Sequence, residues 1–327
     1  MKAARIHQTG SPEVLELEEV DVPVPVDDRV LIRVGVAGVN FTDVMARQGV
    51  YISRDVAPAL PAILGTEVAG VVTATGPGVT EDLAGKRVIA FVRGGYAEYA
   101  VASRQLVAEL PPGIDLADAT AFLVQGVTAW QLLRECGRID RGETVLVHTA
   151  AGGVGTLAVQ LAKALGASTV IATAGSADKR KLAAELGADV TVDYTVPDWA
   201  DAVLASTGGQ GVDIILDAVG GDVGEQSLAC LAPFGRLVSY GVSSKLLAAF
   251  SGSQLMQKNQ SVTGYWLTGR LARDSRPVMD AVASLLELAG QGRIHAVVRH
   301  AFPLEKVADA HRAISDRGTV GKVVLTV

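Results

Sequence analysis

The run Val145-Leu-Val-His-Thr-Ala-Ala-Gly-Gly-Val-Gly-Thr-Leu-Ala-Val-Gln-Leu-Ala-Lys163 changes character twice along its length. An apolar, β-branched stretch, Thr144–Thr149, gives way to a turn of small residues, Ala150–Gly155. A helical period opens at once and continues to about Leu165. Strand, glycine turn and helix in that order form the arrangement that holds a dinucleotide pyrophosphate. Gly152 lets the backbone approach the phosphates, and Gly155 lets the new helix pack closely on the strand. The backbone from Ala151 through Gly153 and Val154 then lines a helix N-terminus that favours an anion. Glycine turns also serve as plain strand–helix connectors. Here the context on both sides of the turn favours the dinucleotide.

The next strand, Thr169–Thr173, ends Ile171-Ala-Thr-Ala-Gly-Ser176. A site for NAD carries an Asp or Glu about 20 residues past the glycine motif to bind the ribose hydroxyls. No acid stands at this tip, so Ser176 and its small neighbours leave room for a 2′-phosphate. Lys179 follows in the first helical turn, where a cation beside helix N-terminal amides makes a compact phosphate site. The competing reading treats Lys179 and Arg180 as ordinary solvated helix residues, with Asp178 weakening any phosphate field. The missing acid favours NADPH over NADH.

The surrounding elements fall into three parts. The first is β-rich, with strand-like runs at Met1–His7, Leu15–Val20, Val30–Val39, Glu67–Thr75, Arg87–Phe91 and Gly95–Val101 punctuated by Pro, Gly and Asp, as in a partly open barrel. A helix over Asp118–Arg134, capped by Asp118 or Asp115, leads into the second part. There strands at Thr144–Thr149, Thr169–Thr173, Val190–Val192, Val212–Asp217, Gly235–Tyr240 and Ser261–Tyr265 alternate with helices, the pattern of a doubly wound parallel sheet. The tail returns to mixed sequence, with helices at Val278–Gly290 and Pro303–Asp316 and a last strand at Lys322–Val327. The expected fold is α/β, a Rossmann sheet over 125–265 inserted into a β-rich catalytic domain built from 1–124 and 266–327. The cleft between the two domains is the expected active site, with the loops Tyr51–Pro61 and Tyr240–Phe250 shaping its pocket.

Composition narrows the function. The chain has 327 residues, 49% hydrophobic and 20% charged, enough for two ordered domains. Its net charge of −6 argues against nucleic acid or an anionic membrane as main partner. No apolar run reaches the roughly 18 residues of a membrane span, and the N-terminus lacks a signal-peptide core. Cys136 and Cys230 sit in apolar contexts and read as buried thiols of a reducing, cytoplasmic setting. His148, on an apolar strand, reads as a core histidine with satisfied partners.

Four segments together resemble a known family: Ala150-Ala-Gly-Gly-Val-Gly155, Gly38-Val-Asn-Phe-Thr-Asp43, Pro61-Ala-Ile-Leu-Gly-Thr-Glu-Val-Ala-Gly70 and Gly318-Thr-Val-Gly-Lys-Val-Val324. They look like the medium-chain dehydrogenase/reductases, in the zinc-independent quinone oxidoreductase branch similar to zeta-crystallin, whose catalytic domain is GroES-like. The resemblance implies that Asn40 and Asp43 line the nicotinamide cleft and that Thr128 contacts the cofactor. It implies that Lys179 and Tyr194 hold the 2′-phosphate, and that Val219 and Ser239-Tyr240-Gly241 flank the nicotinamide. Lys322 matches a basic residue that reaches the cofactor phosphates. Zinc members carry Cys where this chain has Asn40 and His where it has Thr66; neither replacement is a good zinc ligand, so no catalytic metal is expected. Many quinone oxidoreductases place Tyr where this chain has Met45, and Tyr51 is the candidate to fill that role. The leading expectation is hydride transfer from NADPH to a quinone or related conjugated carbonyl, with Asn40 and Tyr51 as candidates to stabilise charge on the acceptor oxygen. Two further readings are reduction of an enone or 2-enoyl thioester, and a non-catalytic NADPH-binding protein. Relatives dimerise through the sheet edge near Ser261–Tyr265, so a homodimer is expected.

Overall fold

The computed structural model describes residues 1–51 and 57–327, so part of the expected Tyr51–Pro61 loop lies outside the described residues. The chain forms two compact units, Met1–Gln125 with Asp274–Val327, and Gly126–Arg273. The second crossing follows Arg273 rather than residue 265. The helix between them belongs to the second unit, where Arg270 pairs with Glu135 at 3.3 Å.

In the first unit the chain lays down β1 (Lys2–Ile6), β2 (Glu16–Glu19) and the long β3 (Arg29–Val39), then the short helix α1 (Phe41–Arg47). There follow β4 (Ala62–Ile63), β5 (Glu67–Thr75), β6 (Arg87–Phe91), β7 (Tyr99–Ser103) and β8 (Val107–Glu109), then α2 (Leu116–Ala121). Asp115 caps α2, its carboxylate accepting the Ala117 N–H at 2.8 Å. A π-helical turn, Phe122–Gly126, follows.

The second unit begins with α3 (Val127–Gln131) and a second π turn, Leu132–Cys136. Then come β9 (Thr144–Val147), α4 (Gly153–Ala164), β10 (Thr169–Thr173), α5 (Ala177–Glu185), β11 (Val190–Val192), α6 (Trp199–Ser206), β12 (Val212–Asp217), α7 (Gly221–Cys230), β13 (Leu231–Ser239), α8 (Gly252–Gln257), β14 (Ser261–Gly264) and α9 (Leu267–Arg273). The chain returns to the first unit with α10 (Arg276–Gly290), β15 (Val298–Pro303), α11 (Val307–Ser315) and β16 (Lys322–Thr326).

The second unit is the expected doubly wound sheet. Its parallel strands run in the order β11-β10-β9-β12-β13-β14. Val145, Leu146 and Val147 of β9 are fully buried, as a central parallel strand covered on both faces requires. Leu146, Ile171, Ile215 and Leu237 of neighbouring strands pack with Trp199 into one core. The chain winds outward from β9 through β10 to β11, then crosses to β12 on the other side. This reversal opens the switch point where such sheets bind ligands, at the strand C-termini.

In the first unit, β3 is the axis. It pairs antiparallel with β5, β7 and β16, while β1, β2 and β4 form a separate small sheet. Val323 lies opposite Val39, and Ala37 opposite Val68. This register brings the start of β16, the end of β3 and the start of β5 to one edge, the edge that carries Lys322, Asn40 and Glu67. The sequence reading missed β4 and β8, which are only two and three residues long. The strand expected at 95–101 forms later, at Tyr99–Ser103. Gly94 is in the left-handed region (φ 85°), and Gly95 follows it in a turn held by the Gly65 carbonyl, so pairing starts only beyond them.

Candidate active site and cofactor-binding turn

The glycine turn forms at the C-terminal end of β9. Thr149 adopts φ 50°, a left-handed conformation costly for a β-branched residue, and its carbonyl accepts the Gly152 N–H at 2.8 Å. Ala150 N–H donates to the Thr173 carbonyl at 3.0 Å, tying the turn to β10. A Cβ on Gly155 would overlap the Thr149 carbonyl and lie 2.7 Å from Ala150 Cα, so glycine there is what lets α4 start against the strand. Gly152 is the N-cap and offers no side chain to the first amides of α4. The first amides of α4 are therefore left without a side-chain cap from the N-cap residue.

The neighbouring strand ends complete this edge. At β10, Ser176 caps α5, its hydroxyl accepting the Lys179 N–H at 3.3 Å, and the Tyr194 ring stands beside Gly175. Arg180 is committed elsewhere: it donates to the Ala174 carbonyl at 3.1 Å and to Asp193 at 2.7 Å. Hydrogen bonds from Thr195, together with Arg180, hold the Asp193 carboxyl below its usual range. At β12, the buried Asp217 carboxylate accepts the amides of Val219 (2.8 Å) and Gly220 (3.1 Å). At β13, Ser239 accepts the Tyr265 N–H at 2.9 Å, and a Cβ on Gly241 would stand 2.9 Å from the Ala218 carbonyl. The Tyr240 hydroxyl is buried, which together with the nearby Asp217 raises its pKa. Ala151, Gly152, Gly153, Val154, Gly155, Ser176, Lys179, Tyr194, Val219, Ser239, Tyr240 and Gly241 thus gather on one edge of one sheet. Thr128 is buried within α3. His148 is the satisfied core residue expected of it, contacting Thr173 Oγ1 (2.8 Å) and Ser227 Oγ (2.9 Å).

In the first unit the site residues form a buried polar centre. Glu67 and Lys322 make an ion pair with both side chains out of water. Glu67 also accepts Asn40 Nδ2 and the Val124 amide, each at 2.8 Å. Lys322 Nζ donates further to Asn40 Oδ1 (3.0 Å) and the Val39 carbonyl (3.4 Å), and Gln125 Nε2 donates to Asn40 Oδ1 at 3.3 Å. The ammonium of Lys322 is thus spent inside this centre. The expected reach to cofactor phosphates is corrected: the residue is 1% exposed and held by acceptors of its own unit.

Asp43 lies next to this centre. Its carboxylate accepts the Asn40 N–H at 2.8 Å, half of a capping box at the start of α1, and hydrogen-bonds the Tyr96 hydroxyl. His311 Nε2 contacts the same hydroxyl at 3.2 Å, and the fully buried Arg47 lies close by. Burial, helped by the nearby Glu67, raises the Asp43 pKa to about 7. Tyr51, at the edge of the described residues, donates its hydroxyl to the Ala46 carbonyl at 2.9 Å, and partial burial raises its pKa. Its proton is held locally.

The sequence reading missed Gln125, Tyr96, Arg47 and His311 as members of this centre. The one available signal was a set of charged or amide residues inside otherwise apolar segments. Among the described residues, one group of three ligand-type side chains comes together, His7, Glu16 and Glu18, on the exposed β1–β2 side of the unit. There Glu18 already pairs with Arg5 at 2.9 Å and with His7.

Two outcomes follow. Replacing Lys322 with Met leaves Glu67 buried without its cation and is expected to cost about 3–5 kcal/mol of stability; urea unfolding that moves by less than about 1 kcal/mol would show the pair to be dispensable. The second concerns pH. Asp43 gains protons on folding, so its contribution is full below 3.8 and is lost as pH rises to about 7. His148 and His311, held neutral by burial at about 4 and about 3, act oppositely, adding stability as pH rises toward 6.5. In Asp43→Asn the opposing slope vanishes. The variant's stability is expected to gain on wild type by roughly 1.4 kcal/mol per pH unit between pH 4 and 7. Parallel stability–pH curves would refute this.

Comparison with known proteins places this geometry. Residues 26–112 match the alcohol dehydrogenase GroES-like domain, and residues 153–286 match the zinc-binding dehydrogenase model. Over 319 residues, covering 97% of this chain and 96% of the relative, the chain is 37% identical to the quinone oxidoreductase of Pseudomonas aeruginosa. It is 34% identical to the 2-haloacrylate reductase of a Burkholderia species, covering 99% of this chain and 98% of that one. The Escherichia coli quinone oxidoreductase complexed with NADPH superposes with a TM-score of 0.92 at 34% identity, covering 100% of both chains. Although one matched model is named for zinc binding, the positions where zinc members carry Cys and His hold Asn40 and Thr66, and Asn40 is taken up by Lys322, Glu67 and Gln125. The chain belongs to the medium-chain dehydrogenase/reductases, in their zinc-independent quinone oxidoreductase branch.

Proposed function

We propose that this protein is an NADPH-dependent, zinc-independent quinone oxidoreductase that reduces a quinone or a related conjugated carbonyl. The observation that carries the reading is the polar centre around Asn40, a fixed amide held by an ion pair rather than a metal-ligand set, in a chain 37% identical to a quinone oxidoreductase.

The residues fit NADPH. The Gly155 position cannot take a Cβ, the first amides of α4 have no side-chain cap, and the tip of β10 carries no acid. In this reading the α4 amides hold the pyrophosphate, while Ser176, Lys179 and Tyr194 hold the 2′-phosphate; Val219 and Ser239–Gly241 border the nicotinamide, and Thr128 adds a contact. When bound, NADPH supplies the hydride. The chain's part is to hold the acceptor in place and to stabilise negative charge on its oxygen, for which Asn40 offers an N–H donor. Asp43 supports Asn40 through the start of α1. With the Tyr51 hydroxyl bonded to Ala46, the final proton comes from solvent.

The reading includes a homodimer and a cytoplasmic location. Support for the dimer comes from β14, which pairs with β13 and ends the sheet order, with no further strand on its outer side among the described residues. The free thiols Cys136 and Cys230 support a reducing compartment. No helix among the described residues is long and apolar enough to cross a membrane.

Oxidation of NADPH and NADH should be followed separately with benzo- and naphthoquinones, simple enones and a 2-enoyl thioester. Quinone turnover that prefers NADPH is expected, with Lys179→Ala weakening NADPH use about tenfold while leaving NADH use unchanged. Turnover confined to enones or the thioester would move the protein to the alkene reductases, and equal use of NADH would overturn the 2′-phosphate site. Light scattering at micromolar concentration should give twice the 33.8 kDa chain mass; a monomer would remove the dimer.

A further inference from the structure

The buried centre around Asn40 ends on an atom that no group among the described residues satisfies. Gln125 is 8% exposed, and its Oε1 is enclosed without a hydrogen-bond partner. The orientation of this amide follows from a chain of constraints. Lys322 can only donate and contacts Asn40 Oδ1; the Glu67 carboxylate accepts from Asn40 Nδ2. Asn40 is thereby fixed, with its oxygen toward Lys322. That oxygen also faces Gln125, so Gln125 must turn its Nε2 toward it, at 3.3 Å, and its Oε1 away. Asn40 uses one Nδ2 proton on Glu67 and keeps a second. The two amides therefore offer one donor and one open acceptor.

The backbone sets this up. Gln125 sits in the π turn Phe122–Gly126, where the Val124 N–H donates to Glu67. Such turns frequently mark functional sites. A buried acceptor without a partner is uncommon in native structures and calls for an explanation, a ligand among them.

We infer that Gln125 is a further cofactor-binding residue, its Oε1 accepting an O–H or N–H from the dihydronicotinamide riboside half of NADPH. The inference rests on the NADPH reading above. An oxidised quinone carries only carbonyl acceptors and cannot satisfy Gln125. The nicotinamide riboside carries hydroxyls and a carboxamide, which donate as well as accept and so match the pair.

The test uses the full-length protein and three readouts: NADPH affinity from nucleotide fluorescence, the melting temperature without nucleotide, and the quinone KM at saturating NADPH. For Gln125→Leu, and for Gln125→Met as a closer match in shape, NADPH should bind about tenfold more weakly. The melting temperature without nucleotide should hold or rise, since the variant removes an unsatisfied buried acceptor, and the quinone KM should stay within about twofold. The analogue with 3-acetylpyridine in place of nicotinamide separates the two donors. If the variant penalty disappears with this analogue, Gln125 reads the carboxamide N–H; if it persists, it reads a ribose hydroxyl. Unchanged NADPH affinity in both variants would overturn the inference, as would a raised quinone KM with NADPH affinity intact. Failure of the wild-type protein to bind NADPH would instead count against the cofactor reading itself.

Discussion

The buried ion pair between Glu67 and Lys322 is the constraint on which the first unit's site depends. Two opposite charges removed from water gain little by themselves, because desolvation offsets their attraction unless other hydrogen bonds satisfy the remaining valences. Here those bonds come from the Val124 amide, the Asn40 amide and the Val39 carbonyl. They come from two places, the end of β3 and the π turn, so satisfying the pair fixes the ends of β3, β5 and β16 and the π turn together. Small residues make room for it. A Cβ on Gly38 would run into the Glu67 carboxylate, and Gly321, at φ 60°, would strike the Val297 carbonyl if it carried one.

The two units handle charge differently. At the strand ends of its sheet the second unit gathers backbone amides, hydroxyls and Lys179, while Arg180 beside them is neutralised by Asp193. In the NADPH reading this suits a chain whose net charge is −6, since phosphate is then held locally rather than by an overall positive field. The first unit instead concentrates ionisable groups in its interior. Glu67, Lys322, Asp43, Arg47 and His311 are all buried, and the first three hold the Asn40 amide groups in fixed orientations.

Much of this was legible in the sequence. The glycine turn, the carboxylate-free tip of β10 and most parallel strands could be read because each is a local pattern: a period, a spacing or a missing residue. His148 was legible for the same reason, since a polar residue on an apolar strand must find partners. What escaped reading was set by distant contacts. Lys322 reads as a lone cation after a glycine, and its partner Glu67 is 255 residues away. Gln125 lies in a segment with ordinary helical spacing, and a π turn shifts that spacing by one residue, too little to see. Arg180 resembles its neighbour Lys179 until the Asp193 carboxylate is placed beside it.

The discontinuous first unit also orders events in time. The second unit is one continuous stretch, Gly126–Arg273, and its sheet closes without help from either end of the chain. Synthesis delivers Glu67 early and Lys322 only 255 residues later, after the whole second unit. Until β16 leaves the ribosome, β3 lacks one neighbour and Glu67 lacks its cation. The nucleotide-binding sheet can therefore form first on the nascent chain, while the first unit must wait for β16, and its slow step is the closure of a very long loop.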